Sequence, residues 1–225
     1  MTTMYQFHLS PELLAACPRY RVAAIYAAVQ NTPSSEGLWQ EIADFTRRLR
    51  ADATPDSIKQ QPAIQATREA YRSLGKDPSR YRPSAEALRR RLLRGLELYR
   101  IDTLVDLINL VSLRTGYSIG GFDADKIQGD TLTLGVGRAG EAFEGIGRGP
   151  LNIEGLPVWR DLAGGIGTPT SDHERTKMDV NTRHILALIN GYDGDAASLH
   201  TAAEMTCGLL ETYAAAKDCE VTFLP

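Results

Sequence analysis

The sequence predicts an α/β chain of the α+β type, with helices surrounding a mostly antiparallel or mixed sheet and a mainly helical N-terminal part. Three observations predict it. Apolar residues recur at helical spacing through most of the first hundred residues. Short apolar runs punctuated by Gly and Pro follow, up to about residue 161. A long amphipathic helix and a short strand then end the chain. The 225 residues, 43% hydrophobic and 24% charged, have ordinary globular composition and suffice to bury a core without staples. The whole chain is read as one domain. Residues 1–90 form the helical part, 91–190 a middle region, and 191–225 a C-terminal helix and strand.

Residues 4–9 suit a strand. Ser10 then caps a brief helix with Pro11 at its first position, and Pro18 stops it. Residues 19–29 are apolar enough for a buried strand, although their alanines leave a helix open. Residues 34–50 place Leu38, Ile42, Phe45 and Leu49 on one helical face. Pro55 marks a loop. A helix over 62–73 is closed by Gly75, and another starts at Ser84 with Leu88, Leu92 and Leu96 buried and its arginines outside.

At residue 102 the signals sharpen. Asp102 is a plausible N-cap, Leu104, Leu107, Ile108 and Val111 form one apolar stripe, and Gly116 stands where a left-handed cap ends a helix. Asn109 falls inside this helix, off the stripe. Gly120 and Gly121 then form an elbow, where the backbone either turns sharply or passes close to another chain or ligand. Residues 131–136, 141–146, 151–153 and 156–161 read as short strands, and Gly164, Gly165 and Gly167 as a flexible stretch. Residues 185–189 fit strand or helix. Residues 196–217 form the long helix, with Leu199, Ala203, Leu210 and Tyr213 facing the core, and 221–224 the last strand.

Net charge is −3, so bulk electrostatics do not advertise nucleic-acid binding. The distribution is uneven, however. From 68 to 100, Arg68, Arg72, Lys76, Arg80, Arg82, Arg89, Arg90, Arg91, Arg94 and Arg100 outnumber Glu69, Asp77, Glu86 and Glu97. Cys17, Cys207 and Cys219 are odd in number, widely spaced and without metal-ligand spacing, so free thiols in a reducing cytoplasm are expected, with no metal and no cofactor. No signal peptide and no apolar run of membrane-spanning length is seen.

Residues 103–116 (TLVDLINLVSLRTG), 120–130 (GGFDADKIQGD), 137–147 (GRAGEAFEGIG), 159–165 (WRDLAGG) and 179–186 (DVNTRHIL) carry a resemblance. Their order and spacing resemble the B3/B4 editing domain of the phenylalanyl-tRNA synthetase beta subunit, over somewhat under half the chain. The resemblance implies a free-standing, cytoplasmic deacylase that hydrolyses the ester of a mischarged tRNA in trans, with aminoacylated tRNA as partner and neither membrane nor DNA expected. The synthetase domain has a histidine where this chain has Gly120, and a glutamate that helps recognise the tyrosine hydroxyl where this chain aligns Leu188. Both departures argue against simple tyrosine editing.

Aminoacyl esters are already activated, so positioning a water and stabilising an oxyanion with backbone N–H groups suffices. Gly120–Gly121 and Gly164–Gly165 are either such donors or plain turns. The resemblance makes the elbow, with Asn109, Tyr117, Ser118 and Phe122, one wall of the substrate pocket. Asp123 either binds an amine or caps a turn, and Glu141 either orders a loop or lines the pocket. Within residues 171–176 (SDHERT), Asp172 and Glu174 suit a cationic group, His173 a general base, and Arg175 a phosphate or an ion pair. These acidic residues suit an arginine analogue such as canavanine, beside a tyrosine-like substrate. Arg80, Arg82, Arg89, Arg90, Arg91 and Arg94 are either a solvated helix face or a tRNA-docking surface; Arg90 and Arg94 repel at i, i+4 unless an anion lies near. A non-catalytic tRNA- or protein-binding module and a small-molecule ester or amide hydrolase are the alternative functions.

Overall fold

The computed structural model describes residues 5–225. Its elements are β1 (Gln6–Leu9), α1 (Pro11–Ala16), β2 (Arg21–Ala28), α2 (Glu36–Asp52), α3 (Pro55–Gln60), α4 (Pro62–Ser73), α5 (Ser84–Leu93), α6 (Thr103–Thr115), β3 (Ser118–Asp123), β4 (Thr131–Val136), β5 (Glu144–Gly145), β6 (Gly149–Pro150), β7 (Pro157–Asp161), β8 (Gly164–Gly167), β9 (His184–Gly191), α7 (Ala196–Ala214) and β10 (Lys217–Leu224). Residue 4, counted into the first strand, lies outside the described residues.

The expected α+β architecture is present, with eight of its ten strands divided between two four-stranded sheets and β5 and β6 paired as a separate two-stranded ribbon. One sheet, ordered β10-β2-β9-β3, is antiparallel throughout. The other, ordered β1-β4-β7-β8, is mixed, because β1 runs parallel to β4. Strands β2 and β9 are apolar on both faces, which suits the middle of a sheet covered on both sides. Val22, Ala24, Leu186 and Leu188 face the mixed sheet and pack with Phe122, Leu132, Leu134, Trp159 and Ile166. Ala23, Ile25, Ala27, Ile185, Ala187 and Ile189 face the other way, onto α2, α6 and α7. This two-sided burial settles residues 19–29 and 185–189 as strands.

Asn190 fastens the sheets together. It continues the Leu186–Leu188 alternation of β9 and is buried. Its Oδ1 accepts from Tyr20 Oη (2.7 Å) and from Trp159 Nε1 of the mixed sheet (3.0 Å). Its Nδ2 donates to the Ser118 and Leu188 carbonyls.

Helix caps follow local chemistry. Ser10, Ser35 and Asp102 each accept from a backbone N–H three residues on. Gly116 ends α6 at φ 83°. Pro55 does not mark a loop: Thr54 and Ser57 form a capping box, and Pro55, which needs no N–H partner, opens α3. Leu96 is exposed, because α5 stops at Leu93 and Gly95 turns away at φ 81°. Nor do all the α5 arginines lie outside. Glu86 is fully buried and pairs with Arg68 of α4 (2.8 Å) and Arg90 (2.7 Å), with Arg82 at 3.7 Å. It neutralises Arg90 from the turn before, on the side away from Arg94. Arg89 donates to the Leu113 carbonyl near the end of α6 and stacks over Phe45.

Glycine-rich sequence also misleads in two places. Gly120–Gly121 sits inside β3 rather than at a turn, and residues 164–167 form β8 rather than a flexible stretch. In both, the missing side chains allow close packing: a Cβ on Gly165 would stand 2.9 Å from the Phe143 ring. Of the segments read as strands over 141–146 and 151–153, only Glu144–Gly145 is strand, and it pairs with Gly149–Pro150, which lies between them. Helix α7 ends at Ala214, where Ala215 takes φ 49°, and β10 begins at Lys217.

Replacing Asn190 with Leu keeps the volume but strips the acceptor from two buried donors, Tyr20 Oη and Trp159 Nε1. At about 1–3 kcal/mol per stranded group, urea unfolding should show a loss of about 2–5 kcal/mol; a loss below 1 kcal/mol would mean that Asn190 does not join the sheets energetically.

Candidate functional site

A cavity of about 540 Å³ opens beside α6. Helix α6 turns its apolar stripe to the core, and the offset positions Asp102, Val105, Asn109 and Ser112 line the cavity. They recur at i, i+3, i+7 and i+10, one face of a helix. Strand β3 contributes Ile119 and Gly121, which alternate onto the same side. Ser84 and Leu88 of α5 and Ile146 close two sides. Thr168, Ser171, Asp172 and residues 177–180 complete the wall.

Asp172 is the chemically distinctive group. Its Oδ2 accepts the Gly121 N–H at 3.1 Å, and no cation pairs with it among the described residues. Burial pushes its carboxyl up to about 7, against the opposing pull of the Gly121 N–H. Room for the carboxylate exists because two glycines flank it. A Cβ on Gly167 would lie 2.8 Å from Asp172 Oδ1 and 2.6 Å from Phe122 Cζ, and one on Gly120 would lie 3.3 Å and 2.7 Å from the same atoms. An imidazole at position 120 therefore has no room in this chain. Gly120 and Leu188 are direct register partners, and Leu188 is packed in the apolar layer between the sheets. The Gly121 N–H, expected to stabilise an oxyanion, is engaged by Asp172 instead.

Asp102 and Asn109 also line the cavity with polar atoms left unpartnered. Asp102 Oδ1 accepts the Val105 N–H at 2.9 Å as the helix cap, while Oδ2 has no hydrogen bond among the described residues. The Asn109 amide likewise has none, and it stands on the cavity wall.

Of the residues singled out in the sequence, Asn109, Gly121 and Asp172 meet at this cavity, and Gly120 supports Asp172 from behind. The others are placed elsewhere. His173 Nδ1 accepts the Arg175 N–H and the ring meets Phe143 edge-on, outside the cavity lining. Burial first, and then Arg175, holds its pKa below the usual imidazole value. That nitrogen is thus unavailable as a base. Arg175 forks onto Asp161 (2.8 and 2.9 Å), and its guanidinium is not free for phosphate. Glu174 pairs with Lys177 at the cavity edge. Glu141 pairs with Arg160, ordering the loop after β4. Tyr117 Oη donates to Asp193, Ser118 is buried beside Ala85, and Phe122 fills the layer between the sheets. Asp123 caps Asp125 and accepts from Thr182 and Lys126, so capping prevails. Gly164 and Gly165 belong to β8, away from the cavity.

The arginines divide. Arg82, Arg89 and Arg90 make the internal contacts described above, and Arg91 donates to the Glu97 carbonyl and covers Tyr99. Arg80 and Arg94 are exposed. The sequence reading missed Asp102 and Ser112 as cavity residues, although their offset from the apolar stripe by helical spacing was a usable signal. Ser84, Thr168, Ser171, Lys177 and Asp179 reach the cavity only through tertiary packing. Among the described residues no three His, Cys, Asp or Glu side chains gather as metal ligands do, and no helix is long and apolar enough to cross a membrane.

Residues 66–214 match the sequence profile of a family described as the B3/4 domain. No curated protein sequence matches the chain. The fold is similar to the crystal structure of an N-terminal fragment of the phenylalanyl-tRNA synthetase beta-subunit from Pyrococcus horikoshii, with a TM-score of 0.52 and 14% identity. That likeness covers 98% of this chain and 54% of the fragment, so the chain spans about half the fragment's length. At this identity the likeness is one of fold.

Because Asp172 titrates high, the folded chain holds a proton that the unfolded chain loses, between about pH 4, the ordinary carboxylate range, and about pH 7. This contribution is fully present below that window and is lost as pH rises through it. Asp172→Asn keeps an acceptor for Gly121 and removes the titration. In urea unfolding, the variant should gain on the wild type as pH is raised from about 4 to about 8. Parallel stability curves would place the Asp172 pKa in the ordinary range.

Proposed function

The chain belongs to the B3/4 domain family, and on that premise we propose that it is a trans-acting deacylase that hydrolyses the ester of a mischarged aminoacyl-tRNA in the cytoplasm. The observation that carries the reading is Asp172: a carboxylate without a cation, held by one backbone N–H, facing a cavity otherwise walled largely by aliphatic side chains. An aminoacyl ester brings the missing cation, because its α-ammonium is free. Asp172 anchors that ammonium, which sets the acyl carbon at a fixed height along α6. The Asn109 amide, unpartnered on the same wall, donates to the carbonyl oxygen as negative charge develops there. Water adds to the acyl carbon, the bond to the tRNA 3′-oxygen breaks, and that oxygen leaves with a proton.

Asp102 supports a cationic side chain on the amino acid. It lies seven residues before Asn109, about 10 Å along the helix, with one carboxylate oxygen uncommitted. A guanidinium-like end group reaching Asp102 while the ammonium rests on Asp172 fits an arginine analogue such as canavanine better than a tyrosine-like residue. Leu188 offers no polar contact to a phenol.

The test is deacylation of a panel of charged tRNAs, including canavanyl, arginyl and tyrosyl species, beside simple amino-acid ethyl esters. At least one charged tRNA should be hydrolysed well above the buffer rate, and faster than the matching ethyl ester. For that substrate, Asp172→Asn should lose roughly 10–100-fold in kcat/KM, chiefly through KM, as expected for a charged hydrogen bond. Wild-type kcat/KM should rise with pH through about 7 as Asp172 ionises, and this limb should be absent in the variant. No acceleration on any charged tRNA sinks the proposal; equal rates on the ethyl esters favour a small-molecule hydrolase.

A further inference from the structure

Among the described residues eight large apolar side chains are left exposed. Three of them, Ile101 (54% exposed), Ile146 (40%) and Val180 (44%), also line the cavity. They come from three separate segments: the approach to α6, the β5–β6 turn and the approach to β9. Scattered exposed apolar residues need no explanation, but a ring of them around one opening does.

The β5–β6 turn is held in place. It is closed by the Arg148 N–H on the Gly145 carbonyl (2.9 Å), with Gly147 at φ 65°. The Ile146 N–H donates to the Asp172 carbonyl at 3.1 Å. The same backbone segment thus carries the ammonium anchor and positions the apolar rim. The turn also presents Arg148, which is exposed and has no side-chain hydrogen bond or ion pair among the described residues.

An ester whose acyl group lies in the cavity carries its alcohol out across this rim. Accordingly, we propose that Ile101, Ile146 and Val180 seat the 3′-terminal nucleoside of the RNA, with Arg148 meeting its 5′-phosphate. The proposal rests on the ester-hydrolase reading and extends it to the alcohol side. A base offers a flat apolar face to aliphatic side chains whatever its identity, and a guanidinium matches phosphate oxygens. The rim therefore selects RNA-linked esters over free amino-acid esters without reading the sequence of the base.

The experiment is titration of the full chain with 5′-AMP, adenosine and inorganic phosphate, followed by NMR shifts or calorimetry. AMP should bind more tightly than either fragment. Ile146→Asn should weaken AMP and adenosine alike, about tenfold. Arg148→Ala should weaken AMP roughly threefold, leave adenosine unchanged and so narrow the gap between them. Leu162→Asn, an exposed apolar site away from the cavity, should change nothing. No AMP binding at millimolar concentration, or binding indifferent to both rim variants, overturns the proposal. Phosphate binding as tightly as AMP also overturns it, since Arg148 alone would then suffice. The readout needs no catalysis, so an inactive protein that binds AMP through the rim would count against the deacylase reading and not against the nucleoside seat.

Discussion

Of the four hydrogen bonds of Asn190, the one from Trp159 Nε1 crosses between the two sheets, and the site inherits the spacing that it helps to hold. A buried amide with both ends satisfied costs little, whereas a displacement of one sheet against the other would strand the Trp159 donor. Because its Nδ2 also holds the Ser118 carbonyl, the start of β3 is tied into the same network. Three residues further on, Gly121 directs its N–H to Asp172. The position of the unpaired carboxylate thus follows from a polar contact deep in the core.

Much of the fold was legible because it is encoded locally. The caps at Ser10 and Asp102, the apolar stripe of α6 and the left-handed Gly116 each need only a few neighbouring residues. What the sequence obscured depends on distant partners. A Gly-rich run such as 164–167 looks flexible until the Phe143 ring that covers Gly165 is known. Gly120–Gly121 looks like a turn until Phe122, Asp172 and Met178 occupy the space that side chains would have filled. The site was legible in part for the same reason. Asn109 and Asp172 were visible as polar residues in suggestive places, but His173 and Arg175, beside Asp172 in sequence, turn to a backbone N–H and to Asp161.

The basic surplus of residues 68–100 shows how a sequence count can mislead about electrostatics. One carboxylate, Glu86, lies at the centre of three of those arginines, and burial strengthens its hold by excluding water. Arg89 is turned inward by a helix-terminal carbonyl and an aromatic face, and burial lowers its pKa to about 10. The charges therefore act first to pack α4, α5 and α6 together. What remains for an anionic partner is smaller than the count suggests, and includes Arg148, which the surplus did not contain.

The glycines packed around Asp172 have a consequence for how such a site can diversify. Gly120 and Gly167 have no room for even a methyl group, since an added Cβ would lie 2.7 and 2.6 Å from the buried Phe122 ring; at Gly121 it would meet Met178 Cε, the free end of an unbranched side chain, at 2.8 Å. Change at Gly120 and Gly167 is closed off by sterics. On the facing wall Val105, Asn109 and Val180 are half-buried or exposed and make no side-chain hydrogen bond among the described residues, so they can be exchanged with less disturbance. New specificities in this lineage should therefore arise by repainting one wall while Gly120 and Gly167 stay fixed.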